Sequence, residues 1–185
     1  MTIIAPKSNV GTARLIPEIE VFGIFCAFLT SFLTSLFTEV RKLGLTCFVD
    51  TNGGIPLKRL PDFVEVSDAF MLDIKAFDNE EHLFITKSKV DVVLENADYL
   101  ASINKLFEIR TVTIAGMDNR TTIDNITRML SKYIKMGHKI RYKIIKYRKY
   151  GVREEYSMFS APTDDEMEEL KQIAIRNGFE DVIIV

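Results

Sequence analysis

The chain has 185 residues, of which 47% are hydrophobic and 27% are charged, as in an ordinary globular protein. This composition excludes extended disorder, a collagen-like fibre and a low-complexity chain. With 24 Lys and Arg residues against 26 Asp and Glu residues, the net charge is -2, which argues against bulk binding of nucleic acid. The two cysteines, Cys26 and Cys47, are too few for a disulfide framework and indicate a reduced, cytoplasmic protein.

The apolar segment 21–37 allows two interpretations. It has no charged residue and is just long enough for a membrane-spanning helix, which needs roughly 17 to 25 residues. Its Ser and Thr residues, and the helical spacing of apolar residues from Phe28 to Val40, instead predict an amphipathic helix that ends at Gly44. We therefore expect this helix to pack against the rest of the protein rather than to enter a membrane.

Short apolar runs alternate with helical patterns over the rest of the chain. Strands are predicted at 45–49, 69–74, 107–114, 139–145 and 181–185. Helices are predicted to begin between Pro56 and Pro61, and to span 89–105, 121–136 and Thr163 to Asn177, with a charged loop after Lys75. This order predicts a single α/β domain with a mostly parallel sheet.

In parallel α/β folds, functional residues lie at the carboxyl ends of the strands. This rule selects polar side chains at four strand ends: Asp50, Thr51, Asn52, Asp73, Lys75, Arg110 and Arg148. Asp73 interrupts an apolar run, and an unpaired charge is costly to bury, so we expect it to have a cationic or hydrogen-bonding partner. Asp73 and Lys75 face the same side of the strand. They form either a site for a zwitterionic ligand, with Lys75 on its carboxylate and Asp73 on its ammonium, or an internal salt bridge.

Two other polar segments also allow more than one interpretation. Residues 50–53, Asp-Thr-Asn-Gly, suit a polar ligand or a hard cation with oxygen ligands, but such residues also dominate ordinary turns. Residues 139–153 hold seven basic residues and no acidic one, which is typical of an RNA or phosphate site and also of a solvated surface. The sequence has no Cys and His spacing typical of zinc and no glycine-rich phosphate loop.

Four motifs follow one another in an order that resembles the glycyl-radical-enzyme activating proteins, which are radical S-adenosylmethionine (SAM) enzymes. They are DTNG at 50–53, MLDIKAFDNEEH at 71–82, EIRTVTIAGMD at 108–118 and IIKYRKYGVR at 144–153. The resemblance implies an incomplete (β/α) barrel with a mostly parallel sheet. In that family a [4Fe-4S] cluster cleaves SAM, and the 5'-deoxyadenosyl radical takes a hydrogen atom from a backbone glycine of a partner enzyme. The resemblance therefore implies SAM and the cluster as cofactors and a glycyl-radical enzyme as partner.

The same motifs imply roles for individual residues. By resemblance, Asp50 and Thr51 bind a monovalent cation beside SAM. The positions implied to bind SAM itself, with its methionyl group at the LDIK motif, are Asp73, Ile74, Lys75, Arg110, Arg148 and Asn52. Arg148 stands where many members have a His that contacts SAM.

The sequence also departs from the family. The CxxxCxxC motif that holds the cluster and the SGGEP-type loop are absent. We therefore expect the carboxyl-terminal part of an activase, truncated and inactive alone, with residues 1–27 unmatched and about 37–185 activase-like. Loss of the first barrel strands would expose a sheet edge, which predicts self-association. The alternatives are a cofactor-free protein-binding module and a nucleic-acid binder that uses the basic segment 139–153.

Overall fold

A parallel sheet of five strands forms the centre of the protein. The structure, a computed structural model, describes residues 2–3, 19–20, 27–149 and 158–185. Its strands are β1 (Thr2–Ile3), β2 (Ile19–Glu20), β3 (Phe48–Thr51), β4 (Ala69–Asp73), β5 (Leu106–Thr113), β6 (Arg141–Lys146) and β7 (Val182–Ile184). The first two form an antiparallel pair. The other five form the central sheet in the order β3-β4-β5-β6-β7, and every neighbouring pair is parallel.

Helices connect the parallel strands, as crossover connections require. The described helices are α1 (Ala27–Lys42), α2 (Pro61–Val66), α3 (Asn79–Thr86), α4 (Asp91–Ser102), α5 (Asn119–Lys135) and α6 (Asp164–Arg176), with a 3₁₀ turn at Leu57–Arg59. All of these α-helices except α3 contribute side chains to one apolar core. The core therefore lies between five helices and a single face of the sheet.

Alternate strand residues build that core. Val49, Phe70, Leu72, Ile109 and Tyr142 face the helices and are fully buried. Because successive strand residues point to opposite faces, their neighbours in the sequence lie on the other face of the sheet. That second face carries the charged residues described below.

The structure confirms the predicted α/β class with a parallel sheet. The sheet is open, with β3 and β7 at its edges, as expected for an incomplete barrel. The predicted amphipathic helix is α1, and Gly44 ends it with a φ angle of 75° and an N–H that donates to Arg41 O at 2.9 Å. Among the helices that the structure describes, none combines the length and the apolar character needed to cross a membrane.

Two predicted boundaries were wrong. The first strand of the central sheet spans Phe48–Thr51 instead of 45–49, so Asp50 and Thr51 lie within β3 rather than after it. The charged loop predicted after Lys75 contains the helix α3. The side chain of Asp78 begins this helix by accepting hydrogen bonds from the backbone N–H groups of Glu80 and Glu81, at 2.8 and 3.0 Å.

Candidate functional site

Arg110, in the middle of β5, joins two carboxylates that lie near the carboxyl ends of β3 and β4. Its Nη1 donates to Asp50 Oδ2 at 2.8 Å, and its Nη2 donates to Asp50 Oδ1. Its Nε donates to Asp73 Oδ1 at 2.8 Å, and Lys75 Nζ donates to Asp73 Oδ2 at 2.8 Å. We call these four residues, Asp50, Asp73, Lys75 and Arg110, the charged cluster.

The register of the sheet brings these residues together from distant parts of the chain. Asp73 on β4 is the partner of Arg110 on β5, and Asp50 on β3 is the partner of Met71 on β4. In parallel strands, side chains at such positions share a face. The sequence predicted that Asp50, Asp73, Lys75 and Arg110 lie near strand ends, and the structure places them in one contact network.

The charged cluster is sheltered from water but not closed. The side chains of Arg110, Asp50 and Asp73 are 17%, 23% and 23% exposed. Burial alone would lower the pKa of Arg110, but the hydrogen bonds and negative charges of Asp50 and Asp73 outweigh it and raise that pKa. Two carboxylates and two cations give the cluster no net charge, which makes its partial burial tolerable.

The loop after β3 carries Asn52 and turns at Gly53. The backbone N–H of Gly53 donates to Thr51 Oγ1 at 3.1 Å, and that of Gly54 donates to Asn52 Oδ1 at 3.2 Å, as in an Asx turn. Gly53 has a φ angle of 67°, and a Cβ there would lie 2.6 Å from Leu72 Cδ1. Only glycine fits this position, because the left-handed backbone and the close packing both oppose a side chain.

Asn96 holds this loop from the side of α4, a role that sequence analysis missed. Its Nδ2 donates to the carbonyl oxygens of Gly53 and Ile55, both at 2.8 Å, and its Oδ1 accepts from the N–H of Leu57 at 2.8 Å. The residue is buried, and these bonds satisfy its amide group. The available signal was a polar residue among the apolar positions of a predicted helix.

The remaining predicted SAM-binding residues have different surroundings. Ile74 is fully buried, and its N–H donates to the carbonyl oxygen of Arg110 at 2.9 Å, which ties β4 to β5 directly beside the charged cluster. Arg148 is exposed after the end of β6, beside a groove lined by Val112, Tyr147 and Val185. Among the residues that the structure describes, Arg148 forms no ion pair with a cluster carboxylate.

A second group of charges lies on the same face of the sheet. The Glu108 side chain is 2% exposed and lies 3.1 Å from Lys143 Nζ, while Arg141 Nε donates to Asp181 Oδ2 at 2.9 Å. On the other, helix-facing side of β6, Lys146 Nζ pairs with Asp164 Oδ1 of α6 at 2.5 Å. Three basic residues of the segment 139–153 are thus already paired with carboxylates, which weakens the interpretation of this segment as a nucleic-acid surface. Residues 150–157 lie outside the described part of the chain.

Cys47, the one cysteine in the described part of the chain, does not fit an iron–sulfur cluster. Cys47 is fully buried, and its thiol contacts Phe37 O at 3.9 Å. Burial, with the charge of Asp68, raises the pKa of this thiol from 9.0 to about 11, which disfavours the thiolate that ligates iron. The side chain of Cys26 lies outside the described residues. Within the described ranges, no three His, Cys, Asp or Glu side chains come together as a metal site.

The sequence of this chain is similar to those of curated activating enzymes. No family model matches the sequence. The chain is 26% identical over 176 residues to a putative glycyl-radical enzyme activating enzyme of Haemophilus influenzae, covering 83% of this chain and 66% of that protein. It is 28% identical over 160 residues to the pyruvate formate-lyase 1-activating enzyme of Escherichia coli K12, covering 80% and 63%. The chain thus spans slightly less than two thirds of the length of these curated relatives.

Solved structures share the fold. A domain of pyruvate-formate lyase-activating enzyme from Bacteroides vulgatus superposes with a TM-score of 0.71 at 17% identity, covering 87% of this chain and 96% of that domain. SuiB of Streptococcus suis, solved with S-adenosylmethionine bound, superposes with a TM-score of 0.61 at 15% identity, covering 82% and 36%. Over about 80% of its length, the chain is therefore similar in sequence to glycyl-radical enzyme activating enzymes, and it shares its fold with the two solved structures.

Proposed function

We propose that this chain binds SAM at the charged cluster and belongs to an activase that generates a glycyl radical on a partner enzyme. The observation that carries the proposal is the pairing of Asp73 with both Lys75 and Arg110 at the carboxyl ends of the strands. Ligands of open α/β sheets bind at this edge. The similarity to glycyl-radical enzyme activating enzymes supports this choice of ligand and partner class.

The charged cluster retains donors for a ligand carboxylate. A lysine ammonium has three N–H donors and a guanidinium has five. Lys75 uses one of its donors on Asp73, and Arg110 uses three on Asp50 and Asp73. The unused donors are suited to the methionyl carboxylate of SAM, and Asp73 is suited to its ammonium. The proposal keeps Ile74, Asn52 and Arg148 as further contacts, with Arg148 reaching from the exposed end of β6.

A [4Fe-4S] cluster, where one is held, would supply the electron that cleaves SAM into methionine and a 5'-deoxyadenosyl radical. The present sequence lacks the CxxxCxxC motif, and the described Cys47 is buried and protonated. These residues do not fit the cluster, so we assign SAM binding to this chain and no step of SAM cleavage. The proposal includes an activase-like portion from about Phe37 to Val185, a cytoplasmic location and inactivity of the chain alone.

The cation predicted at Asp50 and Thr51 has donors of the right chemical kind, since hard cations take carboxylate and hydroxyl oxygens. In the structure, however, both carboxylate oxygens of Asp50 accept hydrogen bonds from Arg110. These residues do not fit a cation while Arg110 holds this position. We derive no role for a cation in SAM binding.

Calorimetric titration tests the proposal with two ligands and two variants. Lys75→Ala should weaken SAM binding by about tenfold or more, the size of a lost charge-assisted hydrogen bond. Binding of 5'-methylthioadenosine, which lacks the methionyl carboxylate and ammonium, should be the same in both proteins. Lys135→Ala, an exposed change at the end of α5, is the matched control and should leave SAM affinity unchanged. Equal SAM affinity of the Lys75→Ala variant and the original chain would contradict the proposal.

One observation supports the alternative of a protein-binding module. Leu83 and Phe84 on α3 and the nearby chain residue Met158 are 47%, 49% and 72% exposed, and the Phe84 ring lies 6.1 Å from that of Phe159. Exposed apolar side chains at the end of the sheet suit a protein partner. In this alternative, the calorimetric titration with SAM gives no heat of binding, and capture of a partner is indifferent to Lys75→Ala.

A further inference from the structure

The carboxylate oxygens that a monovalent cation would need are all in contact with cationic side chains. Asp50 directs both carboxylate oxygens to Arg110, and Asp73 directs Oδ1 to Arg110 and Oδ2 to Lys75. The Thr51 hydroxyl accepts the N–H of Gly53 at 3.1 Å. The oxygen ligands of a cation site are therefore present, but Arg110 and Lys75 already neutralise the carboxylates among them.

Charge balance opposes a further cation. Arg110 and Lys75 neutralise the charges of Asp50 and Asp73, so potassium or sodium would make the cluster positive. The added ion would also lie beside a guanidinium that is only 17% exposed, where repulsion is stronger than in bulk water. The planar fork of the Arg110 guanidinium contacts both carboxylates at once.

We propose that Arg110 takes the place of a monovalent cation, so that this chain folds and binds its ligand without potassium or sodium. Arg110 holds Asp50 and Asp73 together as a bound cation would, and it is part of the chain. It also keeps two N–H donors for the carboxylate of the ligand. The part of this inference that concerns ligand affinity rests on the proposed SAM binding, whereas the part that concerns folding stands without it.

The experiment compares buffers that differ only in the cation. The full chain and its Arg110→Met variant are measured in choline chloride and in potassium chloride at equal ionic strength. For the original chain, the melting temperature and the SAM affinity should be the same in both salts. In the variant, Asp50 and Asp73 lose their shared partner, so potassium should raise the melting temperature by several degrees and the SAM affinity by about tenfold.

Arg128→Met is the matched control, because Arg128 is an exposed residue of α5 that pairs with the single carboxylate of Asp124. This control should show no response to potassium. If Arg110→Met does not fold, Arg110→Gln replaces it, since a neutral amide also leaves the two carboxylates without the positive charge of Arg110 and the response to potassium should again appear. Sodium NMR line widths of the original chain give a direct second measurement and should show no bound sodium.

Three results would overturn the inference. They are a potassium-dependent melting temperature of the original chain, sodium bound to it by NMR, and an Arg110 variant that folds without responding to potassium. Absence of SAM binding by the original chain in both salts would instead contradict the proposed function. The melting temperatures would still decide whether Arg110 replaces a cation.

Discussion

The two faces of the five-stranded sheet are made of alternate residues from the same strands, yet they differ in chemistry. Toward the helices, Leu72 and Ile109 are fully buried in the apolar core. On the opposite face, their sequence neighbours Asp73 and Arg110 form an ion pair at 2.8 Å. One face obtains its stability from buried apolar area, and the other carries charges that must neutralise one another across strands.

Because the two faces differ, we expect substitutions on one face to affect mainly the free energy of unfolding and substitutions on the other to affect mainly ligand affinity. Removing an apolar side chain leaves a cavity, whereas removing the Lys75 ammonium leaves Asp73 its hydrogen bond to Arg110. Variants of the helix-facing side should therefore change the free energy of unfolding and spare ligand affinity. Lys75→Ala on the charged face should do the opposite.

The largest expected effect is that of Phe70→Ala on the helix-facing side. Phe70 is fully buried, with its ring 6.2 Å from that of Phe63 and nearly perpendicular to it. The change should lower the free energy of unfolding by about 3 to 5 kcal/mol, measured by urea denaturation. Phe32→Ala removes the same side chain from a position on α1 that is 61% exposed, and should change it by less than about 0.5 kcal/mol. Similar losses in the two variants would argue against the core as described.

Gly53→Ala should have the next largest effect, because it crowds the point where the loop of the charged face meets the core. Its φ angle is 67°, and the new Cβ would lie 2.6 Å from Leu72 Cδ1 and 3.1 Å from Val93 Cγ1. Backbone strain and overpacking together should cost about 2 to 4 kcal/mol.

Gly44→Ala is the control for backbone strain alone. Gly44 has a φ angle of 75°, but its Cβ would meet nothing within 4 Å, so this variant should lose only about 1 to 2 kcal/mol. The difference between the two free energies of unfolding measures the crowding at Gly53. Equal losses would mean that Leu72 and Val93 move aside without cost.

A smaller effect is expected from alkaline pH, through a single thiol of the core. Burial raises the pKa of Cys47 from 9.0 to about 11, so between these values the unfolded chain loses this proton while the folded chain keeps it. The unfolded state then binds fewer protons, and the free energy of unfolding must fall as pH rises through this window. Denaturation of the original chain and of Cys47→Ala at several pH values isolates this contribution. The variant should show a shallower decline, and parallel curves would contradict the assignment.

Lys75→Ala should have the smallest effect on stability. Lys75 is 28% exposed, and Asp73 keeps its hydrogen bond to Arg110 when the ammonium is removed. We expect a loss of less than about 1 kcal/mol in urea denaturation, although the same change should weaken SAM binding strongly. If Lys75→Ala lowered the free energy of unfolding as much as Phe70→Ala does, the charged face would contribute to stability as much as the apolar face.

Much of the fold could be predicted, because the spacing of apolar residues along the sequence reflects which side of a helix or strand is buried. Thr163 was predicted to begin α6, and its side chain and that of Glu166 form the reciprocal capping bonds. The helix α3 was missed because its apolar residues Leu83 and Phe84 are exposed, so it lacks the buried stripe that a helix pattern needs. The end of β3 was placed too early because Asp50 and Thr51 resemble a turn when the partner strand is unknown.

The candidate site was predicted in composition but not in its contacts. The rule of strand ends selected Asp50, Asp73 and Arg110, which are separated by up to 60 positions in the chain. Their shared network depends on the register of three strands, and no local pattern contains that information. For the same reason, the sequence indicated a salt bridge between Asp73 and Lys75 as one alternative but not the second one between Asp73 and Arg110. It also did not show that Asn96 binds the loop after β3.

The three hydrogen bonds of Asn96 link the loop after β3 to α4, and this link has a consequence for local opening of the protein. Amide hydrogens exchange with solvent when their part of the structure opens as a cooperative unit. Because one buried side chain joins the two segments, the Leu57 amide should exchange together with the amides of α4. Local opening of α4 on the apolar side should therefore set how often the loop beside the charged cluster opens.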